Sequence, residues 1–93
     1  MSISLKGQIY ANTDTAVSDA ARRFETSEKK LTWAFVQIST NTQLFGDSSS
    51  QPVSYADGEA FELEMADIST LYFKNAAAGQ NGTVSIIGVL ATY

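Results

Sequence analysis

Residues 60–65 read Ala-Phe-Glu-Leu-Glu-Met, and residues 83–91 read Thr-Val-Ser-Ile-Ile-Gly-Val-Leu-Ala. In the first stretch Phe61, Leu63 and Met65 alternate with Glu62 and Glu64, the period-two pattern of a strand with one buried and one wet face. A helix would carry Leu63 well round the cylinder from Phe61 and Met65. In the second stretch Val84, Ile86 and Leu90 take one face, with Gly88 between them, and Ile87, Val89 and Ala91 take the other. Apolar side chains on both faces mean that both faces are covered. Between the two stretches, residues 71–75 place Leu71 and Phe73 opposite Tyr72 and Lys74. Asn81-Gly82 is the strongest short hairpin signal in the chain, and it predicts an antiparallel hairpin joining residues 71–75 to residues 83–91. Asp57-Gly58 predicts a second turn.

Working outward toward the N-terminus, residues 31–40 form the strongest strand signal of the first half. Leu31, Trp33 and Phe35 share one parity, and Ala34, Val36 and Ile38 share the other, so this strand is expected to be central and covered on both sides. Residues 43–46 and 53–55 read as short strands flanking a serine-rich loop. Residues 3–10 alternate Ile3, Leu5, Gly7 and Ile9 with polar residues, and Asn12 to Thr15 reads as the turn that ends this first strand. Residues 16–24 fit either an extended segment or a two-turn amphipathic helix with Val17, Ala20, Ala21 and Phe24 on its apolar stripe. Two turns of helix are marginal without packing, which favours the extended reading. The sum is an all-β chain: a single-domain antiparallel β-sandwich over residues 1–93, jelly-roll-like, with about seven to eight short strands.

Composition narrows the function classes. The chain of 93 residues has no cysteine and no histidine, and its formal net charge is −4 with pI near 4.5. Disulfides and thiolate metal sites are therefore not available. The commonest general base and the commonest metal ligand are also missing. An acidic chain without a basic stripe is a poor nucleic-acid surface. No apolar run reaches the roughly 20 residues of a membrane span, and the N-terminus lacks the pattern of a secretory signal. Asp47-Ser48-Ser49-Ser50 offers oxygen ligands but not the spaced carboxylates of a dedicated cation loop. Asp57, Glu59, Glu62, Glu64 and Asp67 are clustered carboxylates, the raw material of glycosidase chemistry; Glu62 and Glu64 are read instead as the wet positions of a strand. Asn81-Gly82-Thr83 satisfies the glycosylation acceptor pattern and is read as a turn. No catalytic, cofactor-binding or metal-binding residue is expected, and the chain does not read as an enzyme.

Three stretches carry a resemblance: Asn41-Thr42-Gln43-Leu44-Phe45-Gly46-Asp47; Ala56-Asp57-Gly58-Glu59-Ala60-Phe61-Glu62-Leu63; and Met65-Ala66-Asp67-Ile68-Ser69-Thr70-Leu71-Tyr72-Phe73-Lys74-Asn75, followed by a small-residue turn and Val84-Ser85-Ile86. Their order resembles the small β-sandwich accessory virion proteins of tailed bacteriophages, of the capsid-decoration and head-fibre-base type. The likeness runs over residues 31–91. The chain departs from that class in lacking a proline at Ala56-Asp57-Gly58, and residues 16–24 have no counterpart in it. The resemblance implies a structural protein that stabilises an assembled shell as a decoration or cement protein, or that serves as a head-fibre base. It implies a homo-oligomer, commonly a trimer, whose partners are itself and the major capsid protein or another virion protein. Its location would be the virion, after synthesis in the host cytoplasm.

Two function classes follow. In the first, the chain assembles and docks through apolar surface, and Tyr10, Tyr72, Ile87, Val89 and Tyr93 are the interface candidates. In the second, it is a carbohydrate- or ligand-binding β-sandwich module using exposed tyrosines and the loop of residues 47–51. The second face of residues 83–91 bears on the first class: either a second copy covers Ile87 and Val89, or residues 16–24 fold over them as a lid.

Overall fold

The computed structural model describes residues 7–91. It contains strands β1 (Ile9–Val17), β2 (Lys30–Thr40), β3 (Gln43–Gly46), β4 (Val53–Tyr55), β5 (Ala60–Asp67), β6 (Tyr72–Asn75) and β7 (Gly82–Leu90), with one 3-10 turn at Ile68–Thr70. They pair into a four-stranded sheet of order β1-β7-β2-β5 and a three-stranded sheet of order β4-β3-β6, and every pairing is antiparallel. The fold is the expected all-β sandwich.

The core follows from period-two alternation across the registers. On the inner face of the large sheet, Tyr10, Gly88, Ala34 and Leu63 form one row, and Asn12, Ile86, Val36 and Phe61 form the next. The small sheet answers with Phe45 and Phe73. Leu31, Ala34, Val36, Ile38, Phe45, Ile68, Phe73, Val84 and Ile86 are buried together, and Phe24, Phe61, Leu63, Leu71 and Leu90 pack against them. Phe73 meets Phe24 with ring centroids at 4.8 Å, and Phe45 meets Phe61 edge-on at 5.0 Å. Such pairs add to the apolar burial that drives folding.

The two sides of the sandwich differ. On one side the chain after β1 bends at Asp19 and Ala20 and lies along the outer edge of β6. Arg22 and Phe73 exchange backbone hydrogen bonds at 2.8 Å in both directions, and the Asn75 amide donates to the Ser18 carbonyl at 2.9 Å. Residues 18–25 thus contain no helix, and they satisfy the backbone groups of an edge strand. On the other side β5 and β4 are the terminal strands of their sheets, and no described strand runs along their outer edges.

Several expectations are corrected. The turn predicted at Asn12 to Thr15 is the middle of β1, paired with Ile86 to Ser85 and beyond. Local turn propensity gives way to the backbone partner that β7 provides. The strand expected over residues 3–10 lies largely outside the described residues. Asn81-Gly82 does not close a hairpin, because β6 belongs to the small sheet and β7 to the large one. Gly82 is also absent from the positions of positive φ, whereas Gly58 adopts φ +88 as its turn requires. Gly82 is needed for space: a Cβ there would collide with the Gln43 side chain and the Thr40 carbonyl. In β2, a register shift against β7 between Leu31 and Trp33 turns Leu31 to the same side as Ala34, Val36 and Ile38. Trp33 and Phe35, which alternate with Ala34 and Val36, face outward, on a side that was expected to be covered and that no described layer covers. Met65 was expected to face inward with Phe61 and Leu63; its φ of 51° breaks the alternation and leaves it 59% exposed.

Candidate functional site

The outer face of the large sheet is built by the residues that alternate with the core. The registers align Ile9, Val89, Trp33 and Glu64 across the four strands, then Ala11, Ile87, Phe35 and Glu62, then Thr13, Ser85, Gln37 and Ala60. Two consecutive rows are therefore apolar over β1, β7 and β2 and acidic at β5, and the third row is mainly polar. Ile9 is 45% exposed and Ile87 40%. The rings of Trp33 and Phe35 lie 6.5 Å apart at 19°. The Trp33 indole N–H donates to Glu62 Oε2 at 3.3 Å, which ties the aromatic pair to the acidic margin. The third layer that would cover these rows is absent among the described residues. In particular, Phe24 packs on Phe73 in the core and not on Ile87, so residues 16–24 do not form the lid.

Of the five interface candidates, Ile87 and Val89 lie on this face. Tyr10 lies in an inner row, partly buried against the core. Its hydroxyl donates to Glu25 Oε2 at 2.7 Å, and burial, reinforced by that hydrogen bond, pushes its pKa up to about 12. Tyr72 is on the small sheet, with the Arg23 guanidinium 5.1 Å from its ring centroid. Tyr93 lies outside the described residues. The face also holds Ile9, Trp33 and Phe35, which sequence reasoning assigned elsewhere. Their parity with Ile87 becomes visible only once β1 and β2 are both placed beside β7.

The loop carboxylates are engaged in local structure. Asp47 accepts from the amides of Ser49 at 2.8 Å and Ser50 at 2.9 Å; the Ser50 amide, then the Ser49 amide, holds its pKa below the ordinary value. Asp67 caps the 3-10 turn, accepting from the Lys29 and Ser69 amides at 3.0 Å each and from the Ser69 hydroxyl at 2.7 Å. Among the described residues there is no group of three His, Cys, Asp or Glu able to hold a metal ion. Among the described residues no helix is long and apolar enough to cross a membrane.

A second feature lies between the open edges of β4 and β5. It is a cleft of about 250 Å³ lined by Phe45, Gly46, Val53, Tyr55, Phe61, Glu62, Leu63 and Leu71. Tyr55 stacks on Phe61 with centroids at 4.5 Å, and Phe45 meets Tyr55 edge-on at 5.6 Å.

In comparisons with known proteins, the chain has no significant match to a protein-family model, a curated protein or a solved structure.

Proposed function

We propose that this protein is a structural assembly module that associates with copies of itself through the outer face of its four-stranded sheet. The observation that carries this reading is the pair of apolar rows running Ile9–Val89–Trp33 and Ala11–Ile87–Phe35, on a face that the described residues leave open. Contiguous apolar surface bordered by polar residues is the signature of a protein–protein contact. A closed symmetric oligomer is the simplest way to cover it in every copy.

The particular assembly we propose is a bacteriophage virion, in which the protein serves as a capsid decoration or cement protein or as a head-fibre base. Support for the virion comes from the resemblance carried by residues 31–91, and support for a binding role from the apolar face. Many weak copies bound to one shell gain strength by multivalency, which suits a patch of this modest size. The carbohydrate reading has less support. Tyr10 and Tyr72 do not line a common groove, and the cleft is mainly apolar: of its lining residues only Tyr55 and Glu62 have polar side chains, and the Glu62 carboxylate is turned to Trp33 on the outer face, which leaves little to orient a sugar.

Sedimentation of the purified protein over a range of concentrations, with electron microscopy of particles carrying it, tests the proposal. The expected result is a concentration-dependent oligomer, and density for the protein on the outside of a shell with Ile87 at a contact. A chain that stays monomeric and is missing from purified virions overturns it.

A further inference from the structure

The cleft between β4 and β5 has the shape and charge of a receptor for an extended peptide. At about 250 Å³ it falls below the usual range of small-molecule sites, roughly 300–1,000 Å³, and suits one or two side chains. The strands that frame it are the terminal strands of the two sheets. A strand edge is a template for another strand. Glu62 is the one charged residue among those that line it, and the stretch of chain that supplies the lining is acidic. From Leu31 to Phe73 the chain carries Asp47, Asp57, Glu59, Glu62, Glu64 and Asp67, and no lysine or arginine. The described basic residues lie elsewhere: Arg22 pairs with Asp14 at 2.7 Å beside β6, Arg23 sits over Tyr72, Lys74 is in β6, and Lys29 and Lys30 precede or begin β2 at the Asp67 end of β5.

We propose that β5 accepts a strand from a partner protein in which basic and apolar side chains alternate. The pattern follows from the register. Along β5, Phe61 and Leu63 face the cleft while Glu62 and Glu64 face outward. A strand added at this edge would place alternate side chains on the same two faces. Its inward side chains would enter the cleft against Phe45, Tyr55 and Leu71. Its outward ones would lie beside Glu62 and Glu64, where opposite charge is favoured across strands. The left-handed backbone at Met65 ends the regular edge, so the docked segment spans Ala60 to Glu64. This inference does not depend on self-association through the outer face.

The test uses the full chain and two synthetic peptides, acetyl-Thr-Lys-Phe-Lys-Val-Lys-Thr-amide and its counterpart with Glu in place of each Lys. Binding is followed by amide chemical shifts at low salt and again at about 0.15 M salt, where screening weakens exposed charge pairs. The expected result is binding of the Lys peptide about tenfold or more tighter than the Glu peptide, with shifts centred on Tyr55, Phe61 and Leu63. In the double variant Glu62→Lys, Glu64→Lys, checked for folding by circular dichroism, the preference should invert. Equal affinity for the two peptides, shifts centred on Ile87 instead, no inversion in the folded double variant, or no binding at roughly 1 mM peptide overturns the proposal. If the double variant does not fold, Asp57→Lys on the exposed turn takes its place, and an unchanged Lys-peptide affinity overturns the proposal.

Discussion

Ile87→Thr isolates the outer face from the core. Threonine keeps the β-branch that suits a strand, and position 87 is on the side of β7 away from Val84 and Ile86. Fully burying an isoleucine contributes about 1.5–3 kcal/mol. Ile87 is 40% exposed, so a contact can recover only that share, about 0.6–1.2 kcal/mol per copy. The substitution also puts a hydroxyl into the contact, which costs about 1 kcal/mol more if it finds no partner. Where two copies present this face to each other, the loss is about 3–4 kcal/mol per contact, or roughly a 100- to 1,000-fold rise in dissociation constant. Monomer stability should change by no more than about 1 kcal/mol, or about 4–8 °C in melting temperature for a domain of this size. Sedimentation equilibrium measures the first quantity and thermal denaturation the second. An unchanged dissociation constant with a lowered melting temperature would show that Ile87 serves folding alone, and the interface reading of this face would fail.

Other outcomes follow from the same structure. Phe73→Ala removes a fully buried ring packed on Phe24 and Phe45 and should cost about 3–5 kcal/mol in denaturant unfolding, whereas a loss below about 1 kcal/mol would contradict the core assignment. Gln43 is fully buried with neither amide atom hydrogen-bonded, so Gln43→Met should raise stability by about 1 kcal/mol, read as a higher melting temperature. Gly82→Val should lower it, because the new side chain meets Gln43 and the Thr40 carbonyl; an unchanged value would refute that close approach. Asp19, Asp47 and Asp67 have folded pKa values below their ordinary 3.8, through hydrogen bonds donated first by the Asn75 side chain, the Ser50 amide and the Lys29 amide respectively. Depressed carboxylate pKa values contribute stability that is present above the unfolded value and lost as pH falls through the folded ones. The melting temperature should therefore drop as pH is lowered below about 4, and Asp67→Asn should flatten that drop.

Period-two alternation was enough to read strands at residues 31–40, 61–65, 71–75 and 83–91, with the short strands 43–46 and 53–55 set between turn signals, because alternation is a local property. Which strands pair is not local. Residues 71–75 and 83–91 look like the arms of a hairpin, yet β6 takes β3 as its partner and the nearby segment around Arg22 along its other edge, while β7 inserts between β1 and β2. Facing in β2 was misread for a related reason. One register shift near Thr32 turns Leu31 to the side opposite Trp33 and Phe35, and nothing in Leu-Thr-Trp-Ala-Phe announces it. The outward position of Ile87 and Val89 was legible because both faces of residues 83–91 are apolar. Ile9, Trp33 and Phe35 joined them only through registers that the sequence does not state.

The composition of the outer face supports the contact proposed for it. The inner rows around Val36, Ile38, Val84 and Ile86 are apolar across β7 and β2 and turn polar at β1, at Asn12 and Asp14. The outer face is apolar in two rows and turns polar in the third at Thr13, Ser85 and Gln37, and it turns acidic along β5 at Glu62 and Glu64. An apolar centre with a polar rim is the layout of a protein–protein contact that must also tolerate water when unpaired. The carboxylates add direction. A face-to-face pair related by a two-fold axis across the strands would set Glu62 and Glu64 against their own copies, and like charges directly opposed are unfavourable. A two-fold axis along the strands instead sets β5 against β1, placing those carboxylates beside Ile9 and Ala11 at the solvent margin. The acidic edge therefore favours arrangements that keep the two β5 strands apart, and Glu62→Gln with Glu64→Gln should admit the arrangement that the native charges oppose.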